Sequence, residues 1–517
     1  MILYTFTVVN LRQKPVVAVV YVAGMFMAIM DTTIVNVALP TIGRNFHVSA
    51  DTVGVVSIAY LVSLTVFIPV SGWLGDRAGG RRALLGAIGV FTIASALCGL
   101  SASLGELVAF RIVQGVGGAV MTPVGLAMLF RVYPPAERVR ISSVLALFTA
   151  LAPALGPVLG GIFTTYLTWR WVFFVNAPIG VAAFAFGALL LADHAQPHPG
   201  RLDVSGFLLS GFGLGAAMFG VSEGPVAGWS SAPVVAAIVT GAALLAAMVI
   251  VELRVTRPLI NLRLFRDRLF TAATSLYGLG SVSYLGALFL AALFFQDALR
   301  MSALQSGLTT FPSALGVMAG GQVVTRLLYW RFGPRRIMAG GLLAVAGTMS
   351  LMSLVTTGTS PWLVRLIMLG LGTGISLVFI PAQAASMATI AKAQTGQASP
   401  IFNAGKQLGG AIGVALLTTV LAAAGPTREV AGHAVVNLTA FHDGFLAAAA
   451  VAVIAIMVAR TVHDAEAAVT MVPPRRRRDG AVEQARTLPH LVTSAAKPPP
   501  GIVRRAPRVP GRRGGRW

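Results

Sequence analysis

Gly156-Pro157-Val158-Leu159-Gly160-Gly161 lies in an apolar stretch between the polar segment ending at Arg140 and Trp169, and its reading decides the fold. A proline inside a helix removes a backbone hydrogen bond and crowds the preceding turn. In lipid that defect survives only where neighbouring helices re-satisfy the freed groups. Gly156 and Gly160, four residues apart, form a flat strip that lets a second backbone approach closely. Together these residues predict a kinked membrane helix pressed against a partner. The competing reading is an ordinary small-residue packing seam, and Pro157 and Gly161 argue against it.

Composition points the same way. Hydrophobic residues make up 56% of the chain and charged residues 11%, and the mean hydropathy is +0.80. A soluble protein is about one-quarter charged, so the expectation is an all-α polytopic membrane protein embedded in a lipid bilayer. The single cysteine, Cys98, excludes an internal disulfide and a multi-cysteine metal site. No histidine has ligand spacing, so no metal is expected. A net charge of +22 would suggest nucleic acid in a soluble chain. Here the positive charge sits in short loops and the tail, and no nucleic-acid partner is expected. Abundant Ala, Gly, Val and Pro, with arginine preferred to lysine, fit a high-GC bacterial genome.

Apolar runs long enough to cross roughly 30 Å of hydrocarbon begin near Val16, Thr52, Ala83, Leu107, Ser142, Trp171 and Val204. Others begin near Ala232, Thr271, Ala303, Ile337, Pro361, Ala398 and Phe441, which makes fourteen. The first is too long and too poor in a cleavage site for a signal peptide. Arg77, Arg81, Arg82, Arg131, Arg138 and Arg140 follow even-numbered runs, as do Arg263, Arg266, Arg331 and Arg335. By the positive-inside rule both termini are expected in the cytoplasm. The chain also repeats. Gly79 and Arg81 recur as Gly333 and Arg335, and Arg111 as Arg365, at an offset of 254. Gly115 and Gly117 recur as Gly370 and Gly372, and Gly156 and Gly160 as Gly409 and Gly413, within one residue of that offset. The expected organisation is therefore a six-helix half over 1–193, an inserted helix pair over 194–256, a second six-helix half over 257–463 and a disordered basic tail over 464–517. Parallel halves of this kind place a substrate site at their interface near mid-membrane.

Further motifs carry a resemblance. Met30-Asp31-Thr32-Thr33-Ile34-Val35-Asn36-Val37-Ala38-Leu39-Pro40 and Gly72-Trp73-Leu74-Gly75-Asp76-Arg77-Ala78-Gly79-Gly80-Arg81-Arg82 are two of them. Arg111-Ile112-Val113-Gln114-Gly115-Val116-Gly117-Gly118-Ala119 and Trp169-Arg170-Trp171-Val172-Phe173-Phe174-Val175-Asn176-Ala177-Pro178 are two more. With the Gly156-Pro157 stretch, they resemble the fourteen-span drug:proton antiporter family of the major facilitator superfamily, through about residue 462. Ala152 replaces the first glycine of that family's antiporter motif, and Gly80 stands where a basic residue is usual. The resemblance implies a monomeric, proton-coupled efflux transporter of the bacterial inner (plasma) membrane. It would work by alternating access, without a cofactor, on amphipathic small molecules, cationic or neutral. Export of a self-made metabolite, transport of another solute, or a non-transporting membrane sensor are the alternatives. An enzyme is not expected, because no clustered nucleophile, base or metal set is present. Gly405-Lys406-Gln407 lacks the other residues of a phosphate-binding loop, so ATP coupling has no support.

Asp31 lies about fifteen residues into the first run, and a charge there costs at least ~2.5–3.5 kcal/mol, so it must face a cavity or partner. It is the candidate proton-coupling carboxylate, with Arg111, implied by the resemblance, as its partner; a purely structural ion pair is the competing role. Gly72, Asp76, Arg77, Gly79 and Arg81 form the conformational latch that the resemblance implies. Asp76 capping the next helix is the alternative. Tyr60, Gln114, Gln296, Asn403 and Gln407 are polar residues in apolar runs, hence candidates to line the substrate cavity or to make interhelical hydrogen bonds.

Overall fold

The computed structural model describes residues 2–192, 202–255, 258–425, 427–430 and 433–471. Among them, twelve helices are long and apolar enough to cross a membrane. In chain order the helices are α1 (Ile2–Phe46), α2 (Ala50–Ala78), α3 (Gly80–Leu100), α4 (Leu104–Val132), α5 (Pro135–Tyr166), the short α6 (Trp171–Phe174) and α7 (Asn176–Leu190). Then come α8 (Val204–Ala227), α9 (Ala232–Arg254), α10 (Arg268–Leu293), α11 (Ala303–Thr310) and α12 (Pro312–Val323). Last are α13 (Tyr329–Met352), α14 (Pro361–Ser386), α15 (Thr395–Ala424) and α16 (Leu438–Ala459). The structure is thus an all-helical membrane bundle with one small exception. Thr427–Val430 and His433–Val436 pair as an antiparallel hairpin, β1 and β2, in the connection where only loop was expected.

Short polar side chains set the helix starts by accepting from backbone donors that have no partner within the helix. Ser103 accepts from the Glu106 amide at 3.2 Å, Asp203 from Gly206 at 2.8 Å, and Asp267 from Phe270 at 2.9 Å. Ser302 and Gln305 form a reciprocal capping box at the start of α11. The runs expected near Ala303 and Ile337 are not among the twelve. The first is broken because Pro312 has no amide to continue α11, and α12 then passes into a π turn at Val324–Leu328. The second restarts at Gly333, whose φ of 75° no side-chain-bearing residue adopts easily. Gly79, between α2 and α3, has a φ of 83°. The two glycines predicted to correspond thus share an unusual backbone state.

Glycine seams set which helices touch. A β-carbon on Gly156 would collide with Thr33 of α1, and one on Gly160 would come within 3.1 Å of the Ile34 carbonyl. Gly161, read as part of the same device, faces open space and takes no part in the seam. Gly409 and Gly413 of α15 meet Gly278 and Val282 of α10 in the same way. The α1–α5 contact therefore recurs as α10–α15. The Gly115 and Gly117 correspondence needs a correction. Gly115 packs on Ser63 of α2 and Gly117 on Phe91 of α3. The matching contacts are those of Gly372 with Ser313 of α12 and of Gly374 with Gly341 of α13. Contact geometry thus moves the pairing two residues on from Gly370 and Gly372. On that register Arg111 corresponds to the buried Met368. Arg365 is no counterpart of Arg111, since its guanidinium stacks on Trp362 at 4.7 Å.

α8 and α9 pack on each other through Gly241 and Ala217, and α8 also lies against α2 and α15. The boundaries expected at 193–194 and 256–257 fall at residues outside those described, as do Arg475 to Arg478 and the rest of the tail beyond 471. The tail expected to be disordered from 464 does not begin there. Asp464 accepts a hydrogen bond from the Arg335 amide at 2.9 Å, capping the restart of α13. The Thr470 hydroxyl bonds that of Tyr329 at 2.7 Å. Residues 464–471 are short on apolar periodicity, but they satisfy polar groups at a helix end.

Candidate ion-coupling site

Asp31 sits about two-thirds of the way along α1, fully buried. Arg111 and Gln114 stand three apart on α4, and so share a face one turn apart. Arg111 Nη1 forms an ion pair with Asp31 Oδ2. Gln114 Nε2 donates to Asp31 Oδ1 at 2.9 Å, and Asn176 Nδ2 of α7 donates to the same oxygen at 3.1 Å. The carboxylate is held by three donors from two helices. The guanidinium is equally committed. It donates to the Val56 carbonyl at 3.2 Å and to Gln114 Oε1 at 2.8 Å, and lies 4.2 Å from the centre of the Tyr60 ring. A buried charge pair is tolerable only when its remaining hydrogen-bond sites are filled, and here most are.

Tyr60 and Gln114, expected to line a cavity, are parts of this network. Tyr60 is fully buried. Gly115 and Gly118, about one and two turns along from Arg111, make room for it and for Ser63. Sequence reading missed Asn176 and its second partner, the Ser95 hydroxyl at 3.1 Å. The Asn176-Ala177-Pro178 motif was the available signal, since it places an amide inside an apolar helix. Gln296 lies apart, exposed in the π turn Phe294–Ala298. Asn403 is buried and bonds the Ser399 carbonyl at 3.0 Å, with Gln407 half-buried one turn on. The five cavity candidates therefore do not converge on one place.

The Gly156–Thr33 contact lies two residues along α1 from Asp31, so α5 grips α1 on a different side of the helix from the carboxylate. Thr32 and Thr33 also donate to the carbonyls of Ile29 and Met30, at 2.7 and 3.0 Å. Such back-bonding competes with the helix's own ladder and bends it.

At the arginine-rich end of the bundle, Asp76 does not cap α3, whose N-cap position has no side-chain bond. It lies in the last turn of α2 and pairs with Arg131 of α4 at 2.8 Å. Arg131 Nε reaches on to the Thr395 hydroxyl at the start of α15, at 3.1 Å. Gly72 packs on the carbonyl of Gly396, so α2 and α4 close together on α15. Arg81 donates to the Ala188 carbonyl at 2.6 Å near the end of α7, whereas Arg77 is exposed. Arg138, read only as an orienting charge, is buried and bonds the Met387 carbonyl at the end of α14. Among the described residues, no group of three His, Cys, Asp or Glu is placed to hold a metal ion.

A bundle of long apolar helices with a buried ion pair inside it and a charged contact between helices at one end is compatible with a membrane transporter. Residues 21–414 match the Major Facilitator Superfamily, and the chain belongs to it. It is 32% identical over 408 residues to a multidrug resistance protein B homolog of Mycobacterium tuberculosis, covering 78% of this chain and 75% of that protein. It is 31% identical over 415 residues to a tetracenomycin C resistance and export protein of Streptomyces glaucescens, covering 80% and 77%. The crystal structure of the human organic anion transporter MFSD10 superposes with a TM-score of 0.62 over 86% of this chain and 99% of that one. At 15% identity that likeness shows the fold alone.

Proposed function

We propose that the chain is a proton-coupled efflux transporter that exports amphipathic drugs or antibiotics by alternating access. Superfamily membership and relatives named for multidrug resistance and antibiotic export support export. The observation that carries proton coupling is the enclosed Asp31–Arg111 pair. A proton added to Asp31 removes the charge that balances Arg111. The guanidinium keeps its bonds to Val56 and Gln114 but loses its counter-ion, in surroundings where an unpaired charge is costly. Relief comes from moving α1 against α4. Because Thr33 is seated at Gly156, α5 moves with α1. At the far end the Asp76–Arg131–Thr395 tie would break and re-form as the bundle alternates.

In this reading fourteen spans cross the bilayer: the twelve long helices, the broken Ala303–Leu328 stretch and Tyr329–Met352. They form two six-helix halves with α8 and α9 inserted between them. The paired glycines Gly79 and Gly333 and the recurring seam support this arrangement. The arginine distribution supports cytoplasmic termini, and the protein works as a monomer in the bacterial inner membrane. The test is drug accumulation in cells with and without a protonophore. Export that survives collapse of the proton gradient overturns the coupling. A second reading, dedicated export of one self-made compound, is favoured by the relative named for a single antibiotic. A panel of unrelated amphipathic drugs separates the two.

A further inference from the structure

The coupling network leaves one intramembrane charge unused. Lys406 lies in α15, eleven residues from Thr395 and eighteen from Ala424. At 1.5 Å per residue these are roughly 16 and 27 Å, so the lysine lies well inside the helix and not at either end. The side chain is half-buried, and it makes no hydrogen bond or ion pair among the described residues. Ile412, an outward residue of the same helix, is 45% exposed. Successive residues turn by about 100°, so Lys406 points about 120° away from it. Asn403 and Gly410 share its inward side.

Among the described residues, no acidic residue is placed to neutralise it. α15 packs against α2, α4, α8, α10 and α16. Among the described side chains their carboxylates, Asp76, Glu106, Glu223 and Asp443, all lie within about a turn and a half of a helix end. Asp31 is committed to Arg111, Gln114 and Asn176. Two buried hydroxyls nearby also lack partners: Thr274 Oγ1 of α10, which adjoins Gly405, and Ser399 Oγ, two turns from Lys406 on the same side. One turn away Phe402 packs on Tyr277, itself stacked on Phe379 at 4.3 Å. An ammonium in such a low-dielectric setting attracts an anion far more strongly than it would in water. An intramembrane ionisable group without a protein partner is a candidate functional site.

We propose that Lys406 is the charge-recognition group of the cargo site, and that the exported compounds are amphipathic monoanions whose acidic group pairs with its ammonium. This rests on the reading of the chain as an exporter, and replaces the expected cationic or neutral cargo. A cationic drug would place like charges together at mid-membrane.

The test uses the full-length purified protein and three pyrene probes: pyrenebutyrate, its uncharged methyl ester, and a pyrenebutyl trimethylammonium salt. Binding is read from probe fluorescence, and transport from proteoliposomes. The wild type should bind the acid about tenfold or more tightly than the ester, and the cation least. Lys406→Gln should lose that preference while still binding the ester, and Lys406→Arg should keep it. Size-exclusion profiles confirm that each variant is folded. Equal binding of acid and ester by the wild type, or an unchanged preference in Lys406→Gln, overturns the assignment. Transport of the ester or the cation without any preference for the acid sinks the Lys406 proposal and leaves the exporter reading intact. No binding and no transport of any probe sinks both.

Discussion

At the scale of the residue, the proposed coupling rests on Asp31. Asp31→Asn keeps the size and most hydrogen-bonding capacity but removes the titration and the counter-ion of Arg111. Uphill transport driven by an imposed pH gradient in proteoliposomes should be abolished, while probe binding persists. Removing one partner of a buried pair also costs on the order of 3 kcal/mol, so the thermal midpoint should fall. Full pH-driven transport by Asp31→Asn would leave Asp31 a structural partner of Arg111. Asn176→Ala removes one donor from the carboxylate and leaves Ser95 without that contact. It should lower stability by about 1–3 kcal/mol and weaken coupling without abolishing it, as judged from thermal unfolding and transport rate together.

At the scale of the element, the seam distinguishes its two adjacent glycines. Gly156→Leu drives a side chain into Thr33 of α1 and should impair export even where the protein inserts. Gly161→Ala meets open space and should be neutral in the same assay. Normal export by Gly156→Leu would show that α1 and α5 need not pack closely. The chain end offers a similar contrast. A stop after residue 471 should leave stability unchanged, whereas a stop after 463 removes the Asp464 cap and the Thr470 bond. The shorter chain should have a lower thermal midpoint, and equal midpoints would show that the 464–471 segment is idle. Residues 156 and 160 were legible because their spacing alone defines a strip on one helix face. Asp31 stood out because a charge in an apolar run has few permissible settings. Asn176, Arg131 and Arg138 did not stand out in this way. Their roles depend on which helix lies opposite, and Asp31 and Asn176 are 145 positions apart in the chain. Periodicity gives a helix its buried face but not its neighbour. Nor did it show that Pro312 divides a run that hydropathy reads as one.

At the scale of the whole molecule, the proposed orientation predicts that reporter fusions at residues 47 and 428 lie outside, and fusions at 80, 335 and 480 inside. Opposite locations for 80 and 335 would mean that α8 and α9 do not both cross. The two sets of helices are alike in their glycine contacts but unlike in charge: Arg111 faces Asp31, while the equivalent place near Met368 is apolar. The Asp31–Arg111 network joins α1, α2, α4 and α7, whereas Lys406 lies in α15.

An unbalanced lysine in the transport path bears on how steep a gradient the protein can sustain. One proton entering as one monovalent cation leaves moves no net charge, so the membrane voltage does no work. One proton entering as one monoanion leaves carries two positive charges inward. At about 2.3 kcal/mol per charge per 100 mV, the voltage alone then contributes roughly 4.6 kcal/mol. With about 1.4 kcal/mol for each tenfold ratio, that corresponds to an outward gradient on the order of two thousandfold before any pH difference is imposed. Proteoliposomes held at a potassium diffusion potential, with equal pH on both sides, should therefore concentrate an acidic probe and leave a cationic one at equilibrium.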